Sequence, residues 1–279
     1  MQNAGIRSLG LNWRYLAFEV HPDSLRSAIV GAMAMKFVGL NLTIPHKLLA
    51  VEMVDELDET ARTWGAVNTI RFEGAGPDGA WKPLHDFPPG APIDRFRSWG
   101  YNTDADAITR SLREDLQCEL AGARVMVLGA GGAGRVAALK LASESVRTLH
   151  VVNRTREKAT ELAAEVRRKF PAVEAFEGFS PEPVDLIVNA TSLGLKPTDP
   201  LPIDPQSFNL ANARAVYDMI YRPAETPLLA AARAAGCRTA NGLGMLLYQG
   251  AKALEIWTGQ TAPVEEMREA LKNHIYGHV

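Results

Sequence analysis

The sequence is poor in cysteine, in net charge and in long apolar runs, and each shortage closes off a class of protein. It holds two cysteines in 279 residues, Cys118 and Cys237, far apart and without metal-ligand spacing. Both suit reduced, small apolar fillers of a cytoplasmic protein rather than a disulfide framework. A formal net charge of −2 gives no electrostatic case for a nucleic-acid partner or an anionic membrane. No apolar run approaches the roughly 20 residues of a membrane span, and nothing resembles a signal peptide. The six histidines show no HxxxH or HExxH spacing, so no metal site is expected. What remains is a 47% hydrophobic, 22% charged chain of ordinary globular composition. It is long enough for two modest domains.

Hydrophobic periodicity then orders the chain. "WRYLAFEV" (13–20) alternates with Leu16, Phe18 and Val20 on one face and reads as a strand. "PDSLRSAIVGAM" carries a helical stripe through Leu25, Ile29 and Met33. "FVGLNLTI" alternates again until Pro45, which cannot donate to a ladder. A short helix at "HKLLAVEMVDEL", a helical "ETARTW" ending at Gly65, and a strand at "AVNTIRF" follow. Strand alternating with helix predicts a parallel α/β layer. Residues 74–100, rich in glycine and proline, predict a long surface loop. From "NTDADAITRSLREDLQCEL" a helix runs through Ile108, Leu112, Leu116 and Leu120. Further α/β units follow, with strands at "TLHVVNRT", "VDLIVNAT" and "RAVYDMIY" and two helices at the end.

"GAGGAG" sets Gly129, Gly131 and Gly134 in G-x-G-x-x-G register. The pattern gains meaning from its context, a short apolar strand before it and a helix after it. Glycine permits the tight turn and lets backbone approach a pyrophosphate at the helix N-terminus. At the end of the next strand, NAD-binding versions carry a carboxylate for the ribose 2′-hydroxyl. Here the residues are Asn153, Arg154, Thr155, Arg156, Glu157 and Lys158. A guanidinium can clamp a 2′-phosphate that a carboxylate would repel, so NADP is expected over NAD.

Hydride exchange with a secondary alcohol also needs a group that moves the hydroxyl proton. "NLTIPHK" (41–47) ends on a lysine, and Asp104 stands in the first turn of its helix, where the dipole favours a carboxylate. A lysine head beside a carboxylate is a competent proton donor and acceptor.

These residues together resemble the shikimate dehydrogenase family. "NLTIPHK" is similar to its N-x-T-x-P-x-K motif, "GAVNT" (65–69) to its second signature and "YNTD" (101–104) to its third. "GAGGAG", "NRT", "NATS" (189–192), "YDMIY" (217–221) and "NGLGMLLYQGA" (241–251) fall in family order. The resemblance implies two α/β domains around a cleft, the second a Rossmann-type NADP domain. Residues 1–104 plus 242–279 would bind substrate and 105–241 the cofactor. It implies Lys47 and Asp104 as the catalytic pair, with Thr43, Asn68, Asp104, Tyr221 and Gln249 on the substrate. Gly129, Ala130, Gly131, Gly132 and Ala133 would cradle the pyrophosphate, and Asn153 to Lys158 the adenosine phosphate. Met219 and Gly242 would border the nicotinamide, and Glu59 corresponds to a position near the cofactor. The implied reaction is reversible NADP-dependent reduction of 3-dehydroshikimate to shikimate, in aromatic amino acid biosynthesis, by a cytoplasmic monomer or homodimer.

Two departures accompany the resemblance. Family members begin with a strand and an S-x-S loop that grips the substrate carboxylate, whereas "MQNAGIRSLGLNWRYLAFEV" resembles the stretch just after that pair. The expectation is a sheet short of one strand, with unpaired backbone and an exposed apolar slot. A start assigned too late, a truncated chain and a lost activity would each explain it. Ala107 stands where the family usually has glycine. The alternatives are a quinate/shikimate dehydrogenase paralogue of broader specificity and a catalytically impaired NADP-binding protein.

Overall fold

A computed structural model describes residues 1–88, 90–196 and 198–277. Pro89, within the expected loop, Pro197, and His278 and Val279, at the end of the expected substrate segment, lie outside the described residues. The chain divides into two units, residues 1–104 with 249–271 and residues 105–248 with 272–279. Residues 242–248 and 272–277 thus pack with the second unit, where the sequence grouped them with the first.

The first unit contains α1 (Gln2–Ser8), α2 (Leu25–Ala34), β1 (Gly39–Asn41), α3 (His46–Leu49), β2 (Glu56–Leu57) and α4 (Glu59–Trp64). β3 (Thr69–Ala75), β4 (Trp81–Pro83) and β5 (Arg95–Tyr101) follow. The strand order is β1-β3-β5-β2, with β4 also on β3. β1, β4 and β5 all pair antiparallel with β3, and only β2–β5 is parallel. The expected parallel layer is therefore corrected to a mixed, mostly antiparallel sheet. Alternation marks a strand but carries no direction, and the excursion between β3 and β5 is a hairpin-like return rather than a helical crossover. The sheet's inner face, with Ile70 and Phe72, packs on Leu25 and Ile29 of α2, the stripe read from the sequence. Each such fully buried side chain contributes about 1.5–3 kcal/mol.

Three further expectations change. Residues 13–20 form neither strand nor helix; Leu16 and Phe18 are exposed. Tyr15 is held instead by side chains: its N–H and C=O bond the Asn3 amide at 2.8 and 2.9 Å, and its hydroxyl meets Asn41 at 3.1 Å. Alternation without a partner strand makes no ladder. β1 spans only three residues, so "FVGLNLTI" is strand for less than half its length. The expected loop at 74–100 contains β4 and most of β5. Its periodic signal is carried by cations and aromatics: Arg97 lies 4.3 Å from the Trp81 ring centroid and ion-pairs with buried Glu73 at 2.6 Å. Those residue types fit a half-buried pleated surface but disappear in a count of aliphatic residues.

The second unit begins as α5 (Asp104–Leu116) leaves the first. β6 (Arg124–Leu128), α6 (Gly132–Ser143), β7 (Thr148–Val152), α7 (Arg156–Lys169), β8 (Glu174–Glu177) and β9 (Val184–Asn189) follow. Then come β10 (Ala213–Asp218), α8 (Pro227–Ala234) and β11 (Arg238–Asn241), followed by α9 (Leu243–Thr258) and α10 (Val264–Tyr276), whose residues 249–258 and 264–271 belong to the first unit. The sheet is wholly parallel, in the order β11-β10-β9-β6-β7-β8. That is the doubly wound dinucleotide-binding arrangement, with β6 first and the order reversing between β6 and β9. The strands read as continuous apolar runs because helices cover both faces. Among the described residues no helix is long and apolar enough to cross a membrane.

Candidate active site

In the first unit, Pro45 precedes α3, and its second residue, Lys47, extends to Asp104 with Nζ–Oδ2 at 2.8 Å. Both side chains keep some exposure, 26% and 15%. A pair open to water contributes about 0–1 kcal/mol to stability, so its charges do little for the fold and remain available for chemistry. The backbone fixes both ends. The Lys47 carbonyl accepts from Val67 N–H at 2.8 Å, tying α3 to the segment before β3. The Asn102 side-chain oxygen accepts from Asp104 N–H at 3.1 Å, and its amide donates to the Ala66 carbonyl at 3.1 Å.

Asn68 is buried beside the pair. Its oxygen accepts from Thr103 N–H at 2.9 Å, and its amide donates to the Thr103 hydroxyl at 2.9 Å. The Thr103 hydroxyl in turn donates to the Gln249 carbonyl at 3.0 Å, which brings the start of the returning chain to this cluster. Thr43 lies two residues beyond β1, exposed in the turn where its carbonyl accepts from His46 N–H at 2.8 Å. The strand does not carry it, as its alternation had suggested. Glu59 opens α4 behind the Asp58 cap, in the first unit and apart in sequence from every glycine-turn residue. Ala107 is buried on α5.

The second unit carries the glycine turn. Gly129 has φ +101°, a backbone state that favours glycine. A Cβ at Gly134 would overlap the Gly129 carbonyl, whereas a Cβ at Gly131 or Gly132 would meet nothing within 4 Å. The turn is thus tight below and open above, at the N-terminus of α6, and this fits a dinucleotide pyrophosphate. Ala130 N–H donates to the Asn153 side-chain oxygen at 3.0 Å, and the Asn153 amide donates to the Thr155 carbonyl at 2.8 Å. Asn153 therefore fastens the basic turn to the glycine turn. Arg154, Thr155, Arg156, Glu157 and Lys158 are exposed at the start of α7.

Beyond β10, Met219 and Tyr221 line a cavity of about 330 Å³ together with Leu195, Ile220, Arg222 and Ile275. Gly242 lies against the Met219 carbonyl, which a Cβ there would overlap. The Tyr221 carbonyl accepts from the Tyr276 hydroxyl at 2.6 Å. Buried Asp218 braces this segment, accepting from Thr226 hydroxyl at 2.6 Å, Asn189 amide at 3.0 Å and Ile220 N–H at 3.1 Å. Burial pushes its carboxyl above the usual range, opposed by those donors. Sequence reading assigned no place in the functional site to Asn102, Thr103 or Asp218. All three sit inside quoted motifs, so motif membership was the signal that could have found them.

A parallel dinucleotide-binding unit, joined in one chain to an α/β unit holding a lysine–aspartate pair, defines a nicotinamide-dependent oxidoreductase. Sequence profiles match "Shikimate dehydrogenase substrate binding domain" at residues 1–70, "Shikimate / quinate 5-dehydrogenase" at 111–193 and "Shikimate 5'-dehydrogenase C-terminal domain" at 242–272. The chain is 39% identical to a shikimate dehydrogenase (NADP(+)) of Methanopyrus kandleri, over 99% of this chain and 90% of that protein. Among solved structures it is similar to a shikimate dehydrogenase in complex with NADP+, with TM-score 0.79 and 35% identity over 98% of this chain and 89% of the other. It is also similar to the ligand-free 5-ketofructose reductase of a Gluconobacter species, with TM-score 0.80 and 34% identity, covering 98% and 92%. The chain belongs to the shikimate dehydrogenase family.

Proposed function

We propose that the chain catalyses the reversible, NADP-dependent reduction of 3-dehydroshikimate to shikimate, with Lys47 and Asp104 as the proton-handling pair. The observation that carries this reading is the 2.8 Å contact between them. Bound NADPH supplies the hydride. The residues that would hold it are Gly129 to Ala133 at the pyrophosphate, Asn153 to Lys158 at the adenosine phosphate, and Met219 and Gly242 beside the nicotinamide. Lys47 hands its proton to the substrate oxygen as the ketone becomes an alkoxide, and takes one back in the reverse direction. Asp104 holds the ammonium in line and accepts a hydrogen bond from a substrate hydroxyl. Asn68, Thr43, Gln249 and Tyr221 supply further polar anchors, and Glu59 a weaker contact on the cofactor side.

The experiment is NADP reduction with shikimate, for the chain and for Lys47→Ala. Turnover should fall by about 10²–10⁴-fold in the variant, the usual contribution of a positioned proton donor. Equilibrium binding of NADPH should be unchanged. A variant with normal turnover would remove Lys47 from the mechanism. Likeness to a 5-ketofructose reductase favours a second reading, a paralogue of broader specificity; NADP reduction with quinate and NADPH oxidation with 5-ketofructose separate the two. The same proposal has the protein acting on a small molecule in the cytoplasm, as a monomer or homodimer without nucleic-acid or membrane partners; sedimentation and fractionation check it.

A further inference from the structure

The basic turn is less uniformly basic than its sequence. Arg156 Nε donates to Glu177 Oε1 at 2.8 Å, a second guanidinium nitrogen reaches the same oxygen, and the Thr160 hydroxyl bonds the other. Among the described residues Arg154 and Lys158 enter no such pair. Glu177 ends β8 and stands level with Val151, so its carboxylate lies at the carboxyl edge of the sheet beside the turn that follows β7. That edge is where the adenosine ribose of a bound dinucleotide ends. A sequence scan passes over Glu177 because the next strand brings it there from 21 residues beyond Arg156.

We infer that Glu177 limits how strongly this chain prefers NADP over NAD, by occupying Arg156 and setting a negative charge beside the 2′-phosphate position. The inference deepens the NADP reading and rests on it. Arg156 is exposed and its helix lies within one unit, so no rearrangement is needed for its guanidinium to exchange one anion for the other. The Arg156 and Thr160 hydrogen bonds hold the Glu177 carboxyl below the usual range, so it is a full anion at neutral pH. Phosphate recognition then falls to Arg154 and Lys158, with Arg156 held in reserve.

The test is calorimetric binding of 2′,5′-ADP and 5′-AMP to the full chain and to Glu177→Gln, with Glu177→Ala as a second variant. The wild type should bind 2′,5′-ADP more tightly than 5′-AMP. Both variants should tighten 2′,5′-ADP by about threefold, the scale of one exposed charge interaction, and leave 5′-AMP unchanged. Added salt should shrink the gain. Unchanged 2′,5′-ADP binding in folded variants overturns the inference while leaving NADP preference intact. Weaker binding also overturns it, making Glu177 a positioning residue for Arg156. A wild type that binds the two nucleotides equally overturns the NADP reading itself.

Discussion

The two units place their charges differently. In the first, a cation and an anion from distant parts of the chain meet at partial burial, and a web of backbone and amide hydrogen bonds sets their separation. In the second, the cations stand exposed on one turn above a tightly constrained glycine backbone. The first arrangement suits a step that needs geometry, since proton transfer tolerates little displacement. The second suits recognition of a highly charged group, where long-range attraction outweighs exact placement. Substitutions in the first unit should therefore show in turnover, and those in the second in affinity.

Asp104→Asn gives the sharpest test. It keeps the size and one hydrogen bond but removes the charge facing Lys47, so turnover should fall by about 10²–10³-fold with NADPH binding unaltered. Equal losses in both would erase the contrast. Gly242→Ala comes next, because its methyl would overlap the Met219 carbonyl, a backbone atom with little room to retreat. Urea unfolding should show a loss of about 1–3 kcal/mol, with weakened cofactor binding. Arg154→Ala should weaken NADPH by about tenfold, the loss of one charge-assisted contact, and barely alter NADH. Competition binding at two salt concentrations checks it, since the effect should diminish as ions screen the exposed turn.

The smallest expected effect is a pH slope. Asp218 has a raised folded pKa, so the folded chain binds its proton more tightly than the unfolded chain does. Stability contributed by this group is present at low pH. It declines as pH rises from the ordinary carboxylate value through the raised folded one, then levels off. Asp218→Asn should remove that decline, read as the difference between two melting-temperature curves across the acidic range. Parallel curves would show that the buried carboxyl does not titrate in this window.

Legibility in the sequence divided along the same line as the charges. The dinucleotide unit was readable because local rules dictate it: an apolar run, a glycine turn with Gly129 at positive φ, and a helix, all within about 20 residues. The lysine–aspartate pair was raised from residue chemistry and given its catalytic role by the family signatures, since nothing local connects residues 57 apart. The mixed sheet of the first unit was misread because hydrophobic alternation is blind to strand direction. Residues 13–20 alternate convincingly yet form no strand among the described residues, and β5 was hidden because arginines and aromatics carry its pattern. Glu177 illustrates the remaining limit, for its effect depends on which strand lies next to β7.

Residues 249–271 return to the first unit after the whole dinucleotide-binding unit has been traversed. There Trp257 donates to the Ile70 carbonyl at 2.9 Å and the Gln2 amide to Gly250 at 2.9 Å, inside the body that holds Lys47. A ribosome making this chain vectorially would thus expose the first 104 residues long before their closing helices are translated. The nucleotide-binding half, nearly contiguous in sequence, is free to mature earlier. Catalytic competence would then be the last thing the nascent polypeptide acquires.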